Sequence, residues 1–438
     1  MNDLQPLIHT LAERLPALAS DGETLFAYVY GEQTDFARLS RSRINQLGHI
    51  HQRRLTLTLS DGRSAVKDTW DFDAGALDTL APRIERLRGD LAASPDDPYL
   101  SLDASPRTAH SGQPYEERDL EPWLEALLAN TADDDLVGIA LSGPQGFGLA
   151  SSLGHALSHR SGGLSLDASL FTPTHQAVKI EWSAPADGPA DPAAALAQAR
   201  ERLALLGGEP YAPAPGRYRA YLAPEALTEL LGVTVWQGFS RQAVESGNSP
   251  LDRLFRGTAG FAPNVRLREL REDSNAPPFG AAGHTLPGAV DLVIDGRAGD
   301  TLVSPRAALE YGGTINSDSG MPIALTLDGG DLAEADALAA LGTGLYLGRL
   351  WYANLSDPTH CRVTAMTRYD CFWVEDGRIR APLAPMRIDA SLYSLLGPDL
   401  IALSRERHRL EDTSSYERRA SGHQLLPGAL CAALPVTL

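Results

Sequence analysis

The segment Cys371–Gly377 (CFWVEDG) joins a run of apolar, strand-forming residues to an Asp-Gly pair. Asp-Gly tolerates the positive φ angles that tight turns require. A similar run followed by Asp-Gly-Gly occurs at Pro322–Gly330, and further short strands are predicted at Ala289–Ile294 and Val363–Thr367. Short strands separated by such turns predict a largely antiparallel, β-rich second half with a few helices.

The first half mixes helical and strand patterns. Apolar spacing predicts helices at residues 5–19, 74–92, 117–131 and 192–206. Strands are predicted at residues 24–30, 52–59, 136–141, 164–171 and 176–183, with a hairpin turn at 60–63. The glycine-rich stretch Ser142–Gly148 (SGPQGFG) is predicted to be a turn or an exposed loop. It lacks the G-x-x-x-x-G-K-[ST] pattern of a phosphate-binding loop.

The helical pattern at 192–206 ends at Gly207 and Gly208, and the proline-rich stretch Tyr211–Gly216 (YAPAPG) follows it. These residues place a predicted domain boundary near residue 215. The sequence therefore predicts an α+β protein of two domains. Residues 1–215 form a mixed α/β N-terminal domain, and residues 216–438 form a largely antiparallel, β-rich C-terminal domain with helices.

The composition narrows the class of protein. The formal net charge is −18 and the pI is near 5.0, which argues against a nucleic-acid partner because such binding depends on clustered Lys and Arg. No apolar run approaches the roughly 20 residues that span a bilayer, and residues 1–19 lack the pattern of a signal peptide. Three scattered cysteines do not form a disulfide framework. We therefore expect a cytoplasmic protein without a membrane partner.

Two histidine pairs are the first candidates for a metal site. His155 and His159 have the i, i+4 spacing of a zinc-binding helix, but Ala156 stands where a catalytic Glu is needed. The flanking glycines favour a strand, in which the two side chains lie about 13 Å apart and cannot share one ion. We interpret them as a solvated or turn-forming pair. His49 and His51 lack a third ligand nearby and are interpreted as surface residues.

Nucleophilic catalysis has little support in the sequence. The chain contains no G-x-S-x-G elbow, and no Ser, His and Asp stand out as a triad. The lone cysteines Cys361, Cys371 and Cys431 are interpreted as small buried residues. A cysteine-dependent enzyme that uses one of them as its nucleophile stays open as an alternative.

Four stretches, in order along nearly the whole chain, resemble the TldD/PmbA family. They are Phe36–Gln46 (FARLSRSRINQ), Ser151–Leu170, Gly216–Ala226 (GRYRAYLAPEA) and Gly344–Gly377. The last is the most specific, through its aromatic and Arg residues. In catalytic members of this family a His-Glu-x-x-x-His motif follows the strand and Pro of the third stretch, and a C-terminal Cys completes the metal site.

The corresponding positions here are Gly232, Val233 and Gln237. Glycine and valine offer neither a metal ligand nor a base, and a neutral Gln is a poor zinc ligand beside imidazole. No His occurs between His175 and His284, so a shift of several residues changes nothing. The resemblance therefore implies the TldE/PmbA type, with no catalytic residue and no metal or other cofactor in this chain.

The resemblance also implies partners. It predicts a heterodimer with a homologous TldD-type subunit that carries a zinc-type metal, and a chamber that admits unfolded peptides. The alternative is a homodimer that binds a peptide or a modified precursor without cleaving it. We expect the second half, from about residue 216, to carry the main association surface, because the family's subunits associate mainly through their C-terminal halves. Residues 344–376 concentrate large side chains of the types that form cores and interfaces. These side chains are Leu345, Tyr346, Leu350, Trp351, Tyr352, Phe372 and Trp373.

Overall fold

The computed structural model describes residues 4–112, 120–185 and 190–437. Strands contain 44% of these residues and helices contain 24%, so the prediction of an α+β fold is confirmed. Within these ranges no helix is both long enough and apolar enough to cross a membrane. The predicted helix at 117–131 is observed from residue 120 onward, because residues 117–119 lie outside the described ranges.

The first half of the chain contains four helices and seven strands in its described part. They are α1 (Gln5–Leu18), β1 (Thr24–Ser40), β2 (Arg43–Ser60), β3 (Ala65–Asp71), α2 (Leu80–Ala92), β4 (Arg107–Gly112), α3 (Leu120–Asn130), β5 (Asp135–Ser151), β6 (His155–Phe171), β7 (Ala177–Pro185) and α4 (Ala193–Leu205), with a 3₁₀ turn at Ala74–Thr79 before α2.

These strands form one sheet in the order β3-β2-β1-β5-β6-β4, and β7 pairs with β6 beyond the end of β4. All pairings are antiparallel except β4 with β6. Helix α1 buries Ile8, Leu11 and Leu15 against the sheet, where they meet inward-facing leucines such as Leu55 and Leu57. Helices α3 and α4 bury their apolar faces in a second cluster that also includes residues of β5, β6 and β7.

The second half of the chain contains shorter elements. They are β8 (Gly216–Leu222), α5 (Pro224–Val235), α6 (Arg241–Glu245), α7 (Asp252–Phe255), β9 (Leu267–Leu270), β10 (Ala289–Ile294), β11 (Arg297–Ala298), α8 (Pro305–Tyr311), β12 (Ala324–Leu327), α9 (Ala337–Leu341), β13 (Gly344–Asp357), β14 (Arg362–Glu375), β15 (Arg378–Pro382), β16 (Arg387–Ser391), α10 (Leu392–Leu395), β17 (Leu400–Glu411) and β18 (His423–Val436).

The second sheet follows the order β11-β10-β9-β12-β18-β16-β14-β13-β8, with β15 on β14, β17 on β18, and a further pairing of β18 with β8. Most pairings are antiparallel, and β8–β13 and β12–β18 are parallel. Helix α5 starts at Pro224, whose fixed φ suits the first helical position. It buries Leu227, Leu230 and Leu231 in the same cluster as Leu345 and Leu347 of β13.

The prediction of a turn or an exposed loop at Ser142–Gly148 is wrong. These residues are buried and continue strand β5, which pairs with β1 on one side and with β6 on the other. The glycines and the proline lower the strand propensity of the stretch, but two neighbouring strands supply its pairing. Gly143 has a φ of 142°, and a Cβ there would lie 1.8 Å from the backbone oxygen of Gln33.

Other elements differ from prediction mainly in length. Val363–Thr367 and Cys371–Glu375 belong to one strand, β14, and the strand predicted from residue 164 begins at His155. The first sheet uses strands between residues 24 and 185, and the second uses strands between 216 and 436. The domain boundary at 215/216 stays a prediction.

We expect Gly143→Ala to lower the free energy of unfolding by roughly 3 kcal/mol or more. The new methyl group would clash with the backbone oxygen of Gln33, and residue 143 has a positive φ that alanine adopts poorly. The matched control is Gly89→Ala in the exposed interior of α2, where a Cβ has no neighbour within 4 Å. That change should stabilise the protein by up to about 1 kcal/mol. Urea unfolding followed by circular dichroism measures both, and equal effects would contradict the strand assignment.

Candidate functional site at the junction of the two sheets

A cavity of about 550 Å³ lies where the two sheets meet. Strands β5, β6 and β7 form one wall, and the other wall comes from β17, the first turn of α5 and two loops of the second half. The lining residues with ionisable side chains are Glu181, Glu225, Glu272, Asp273, His408, Arg409, Glu411, Asp412 and Arg419. Carboxylates therefore outnumber cations on the walls of this junction cavity.

The wall from the first sheet is built by strand alternation. Lys179 and Glu181 are two residues apart on β7 and share a face, and Asp167 of β6 lies opposite Glu181 in the register. Lys179 Nζ is 2.6 Å from Glu181 Oε1 and 3.3 Å from Asp167 Oδ2. Thr413 of the facing loop donates to Asp167 Oδ2 at 2.9 Å. At this wall the two halves of the chain meet through polar contacts, and elsewhere they share the hydrophobic cluster that contains Leu166, Tyr346 and Phe372.

A buried ion pair crosses from one sheet to the other. Arg349 of β13 donates from both terminal nitrogens to Glu181 Oε2, at 3.0 and 3.1 Å. Nearby, Arg202 of α4 donates to Asp370 Oδ2 at 2.6 Å and to the Tyr346 hydroxyl at 3.1 Å. The Arg349 side chain is 9% exposed and that of Asp370 is 4% exposed. Charges this deeply buried are stable only while their partners stay in place.

His408 of β17 lies between two carboxylates. Its Nε2 is 2.8 Å from Glu334 Oε2, and its Nδ1 is 3.4 Å from Glu225 Oε1. The hydrogen bonds to Glu225 and Glu334 raise the pKa of His408 to about 10, so the ring is an imidazolium at neutral pH. Burial opposes ionisation of Glu225, but the His408 imidazolium and the nearby arginines lower the pKa of Glu225 to about 2. The first turn of α5 also favours this negative charge.

The positions that match the family's metal motif lie away from this cavity. Gly232 and Val233 occupy the last turn of α5, and Gln237 follows the end of the helix with an exposed side chain. Val233 packs against the core of the second half, and a Cβ on Gly232 would have no neighbour within 4 Å. The cavity is lined by α5 only at Glu225. The imidazole and carboxylate groups of the motif are therefore missing at these three positions, and the residues present do not fit a metal ion.

The histidine candidates from the sequence lie on strands of the first sheet. Among the described residues, no group of three or more His, Cys, Asp and Glu side chains is arranged to hold a metal. His155 and His159 lie on strand β6, as the flanking glycines indicated. The interpretation of a solvated pair is wrong, because His155 is fully buried and burial lowers the pKa of His159 to about 4. His49 is exposed and pairs with Asp35 at 2.6 Å, which confirms its place on the surface.

Ser151, His155 and Asp103 form an arrangement that sequence reasoning missed. Ser151 Oγ is 2.7 Å from His155 Nδ1, and His155 Nε2 is 3.6 Å from Asp103 Oδ2. The Ser and His side chains are inaccessible to a substrate, and Ser151 Oγ also accepts the backbone N–H groups of Leu153 and His155. Their spacing of four residues was visible in the sequence, but Asp103 joins them only through the fold. We assign the group a structural role.

The three cysteines are buried and unpaired, which confirms their interpretation as small core residues. Burial raises the pKa of each of the Cys361, Cys371 and Cys431 thiols to about 12. A nucleophilic cysteine needs an exposed thiolate and a lowered pKa. The structure therefore argues against the cysteine-dependent enzyme.

The second half of the chain matches the model of a known protein family. The family model described as the PmbA/TldA metallopeptidase C-terminal domain matches residues 215–434, about half of the chain. A search of curated proteins finds no match.

Three solved structures share the fold over nearly the full length. TldE from Thermococcus kodakarensis is 14% identical with a TM-score of 0.77, and the match covers 98% of this chain and 100% of that one. Two proteins named as candidate modulators of DNA gyrase are also similar. The one from Thermotoga maritima is 15% identical with a TM-score of 0.73, covering 99% of both chains. The one from Bacteroides thetaiotaomicron is 16% identical with a TM-score of 0.76, covering 99% of this chain and 100% of its own.

We expect His408→Gln to destabilise the protein most at low and neutral pH. The folded pKa of about 10 lies above the unfolded value of about 6.5. The charge therefore contributes its full stability below pH 6.5, and this contribution is lost as the pH rises toward 10. The difference in unfolding free energy between the two proteins should be on the order of 2 kcal/mol at pH 6 and shrink by pH 10.

The control for this comparison is His49→Gln, which removes an exposed histidine paired with Asp35. It should change stability by less than about 0.5 kcal/mol. Urea unfolding from pH 6 to pH 10 measures all three proteins. A His408→Gln effect that stays constant over this range would contradict the bridging role of the imidazolium.

Proposed function

This chain belongs to the PmbA/TldD metallopeptidase family, and we propose that it is the subunit of a two-subunit peptidase complex that carries no metal site. Its partner is a homologous TldD-type subunit that holds a zinc-type metal. The substrate is an unfolded peptide that enters a chamber enclosed by both subunits. This chain supplies part of the chamber wall and contacts to the peptide. The similarity of its fold to TldE from Thermococcus kodakarensis supports the assignment.

One observation carries the proposal. The three positions that match the family's His-Glu-x-x-x-His motif are Gly232, Val233 and Gln237. Gly232 has no side chain, Val233 packs into the core, and Gln237 lies beyond the end of α5. Hydrolysis at a zinc site needs imidazole or carboxylate ligands and a base for the attacking water. These positions provide neither.

The junction cavity is the part of this chain that we assign to peptide contact. Its walls present carboxylates and the backbone of three strands, and its volume suits a few residues of an extended chain. The most buried charges on these walls are already neutralised by partner groups, as Glu181 is by Arg349, which does not itself line the cavity. They can orient a peptide through hydrogen bonds, but they offer no free nucleophile or poised base.

We also place the complex in the cytoplasm, without a nucleic-acid or membrane partner. Three unpaired cysteines and a net charge of −18 support this assignment. The association surface is proposed to include Trp351 and Tyr352. Their side chains are 50% and 71% exposed, whereas Leu345, Tyr346, Leu350 and Phe372 from the same segment are buried in the core.

The isolated chain should not cleave unfolded peptides, and cleavage should appear when a metal-bearing homologue is added. Gly232→His should not restore activity to the isolated chain, because one imidazole leaves the site without a base and without a second ligand. Cleavage of a fluorogenic unfolded peptide measures activity, and elemental analysis measures bound metal. Chelator-sensitive cleavage by the isolated chain, shown by mass spectrometry to be free of any homologue, would contradict the proposal.

Replacing both Trp351 and Tyr352 by Ala should weaken capture of the homologous subunit at least about tenfold, because large aromatic side chains dominate interface energy. The control is Tyr416→Ala, which removes another aromatic side chain that is 89% exposed. Analytical ultracentrifugation of the mixed subunits measures the affinity. A homodimer of this chain that excludes the homologue would favour the alternative of a peptide-binding protein without a peptidase partner.

A further inference from the structure

Strand β2 is only partly covered by its outer neighbour. Strand β3 pairs with residues 54–60 of β2. Residues 43–52 pair with β1 on one side, and no described strand pairs with them on the other. Such an edge presents unpaired backbone N–H and C=O groups that can accept another strand. A strand added there would continue the line of β3 along the sheet.

This free edge of β2, residues 43–52, is held in a fixed position. The connection between β1 and β2 contains Arg41 and Ser42, both with φ near +50°. Ser42 secures this turn, since its hydroxyl donates to the backbone oxygen of Asp134 at 2.7 Å and accepts the Leu136 N–H at 3.1 Å. Opposite the edge, Phe36 packs over Gly48, where a Cβ would lie 2.5 Å from its ring. A rigid edge loses less entropy on binding than a mobile one.

The charge around this edge is opposite to that of the whole protein. Residues 36–60 contain five arginines and two histidines but no Asp or Glu, in a chain whose net charge is −18. His49 is paired with Asp35, and Arg54 with Glu417. Arg38, Arg41 and Arg43 are exposed, and none of them forms an ion pair with a described carboxylate. The tip of the hairpin therefore carries three exposed arginines without an ion pair among the described residues, although it packs against the backbone of the acidic stretch that contains Asp134.

The same edge exposes apolar side chains that a neighbouring strand would cover. Ile44 is 44% exposed, Leu47 is 60% exposed and Ile50 is 39% exposed. Cross-strand packing against such residues adds to the backbone hydrogen bonds of an added strand. The position thus combines a backbone template, apolar contacts and positive charge.

We propose that the free edge of β2 is a docking site for an extended acidic peptide segment, which adds to the first sheet as a strand beside residues 43–52. The backbone of β2 supplies the affinity common to all extended peptides, and Arg38, Arg41 and Arg43 select acidic side chains. This inference goes beyond the proposed function and does not depend on the missing metal site. The edge lies outside the set of residues that line the junction cavity.

The test uses the full-length chain and a fluorescein-labelled peptide of about nine residues that alternates Glu and Val, a length that spans the edge. We expect saturable binding in fluorescence anisotropy, although the net charge of the protein repels this probe. The double variant Arg38→Glu/Arg43→Glu should weaken binding at least about tenfold. The control variant Arg297→Glu/Arg378→Glu changes two exposed arginines elsewhere and should bind as the unmodified chain does.

Two further probes separate strand addition from simple charge attraction. The same peptide with N-methyl groups at alternate residues cannot form the ladder and should bind at least about tenfold more weakly. A labelled single-stranded oligonucleotide of similar charge should bind far more weakly than the acidic peptide. The inference is overturned if the acidic peptide does not bind, if N-methylation has no effect, or if the oligonucleotide binds the same arginines equally well. Circular dichroism of each variant checks that the chain is folded.

Discussion

The ion pair between Arg349 and Glu181 joins the two sheets of this protein in a place that water hardly reaches. Taking such charges out of water is costly unless both partners are held in a favourable geometry. Glu181 is held by Lys179 and by the pairing of β7 with β6, and Arg349 is held by the bulged pairing of β13 with β14. Displacing either sheet would leave a buried charge without its partner. This contact therefore acts with the hydrophobic cluster that Leu166 shares with Tyr346 and Phe372 to fix the relative position of the two sheets.

The charged side chains around that contact are also paired with groups of opposite charge. Arg202 neutralises Asp370, and the His408 imidazolium lies between Glu225 and Glu334. Burial raises the pKa of Asp370 even beside Arg202, which shows how little solvent reaches it. A network of this kind stabilises a wall and fixes its shape.

The loop between β17 and β18 links this wall to the free edge of β2. Arg419 donates to the backbone oxygen of Gly143 at 3.0 Å, and residues 412–414 and 419–420 line the junction cavity. The same loop reaches β2, because the backbone oxygen of Glu417 accepts a hydrogen bond from Gln52 at 2.9 Å. The cavity and the edge are thus separate surfaces that both contact one loop. Both rest on the first sheet.

The local sequence was sufficient to predict those elements whose apolar and polar residues follow the periodicity of a strand or a helix. Ala289–Ile294 was predicted with its observed ends, the first helix was predicted to within one residue, and the absence of imidazole at Gly232 and Gln237 is readable without a structure. These features depend on spacing and side-chain chemistry, which neighbouring residues determine. The family resemblance rests on motifs of the same local kind, and it led to the correct fold class.

Only the tertiary structure decided the rest. Ser142–Gly148 has the composition of a loop, yet it is a buried strand because β1 and β6 pair with it on both sides. His408 sits in a charged stretch that is typical of a solvated strand, and its partner Glu225 is 183 residues away. Its charge at neutral pH follows from two carboxylates brought together by separate elements. Pairing, burial and electrostatic coupling act between distant residues, so no local pattern in the sequence records them.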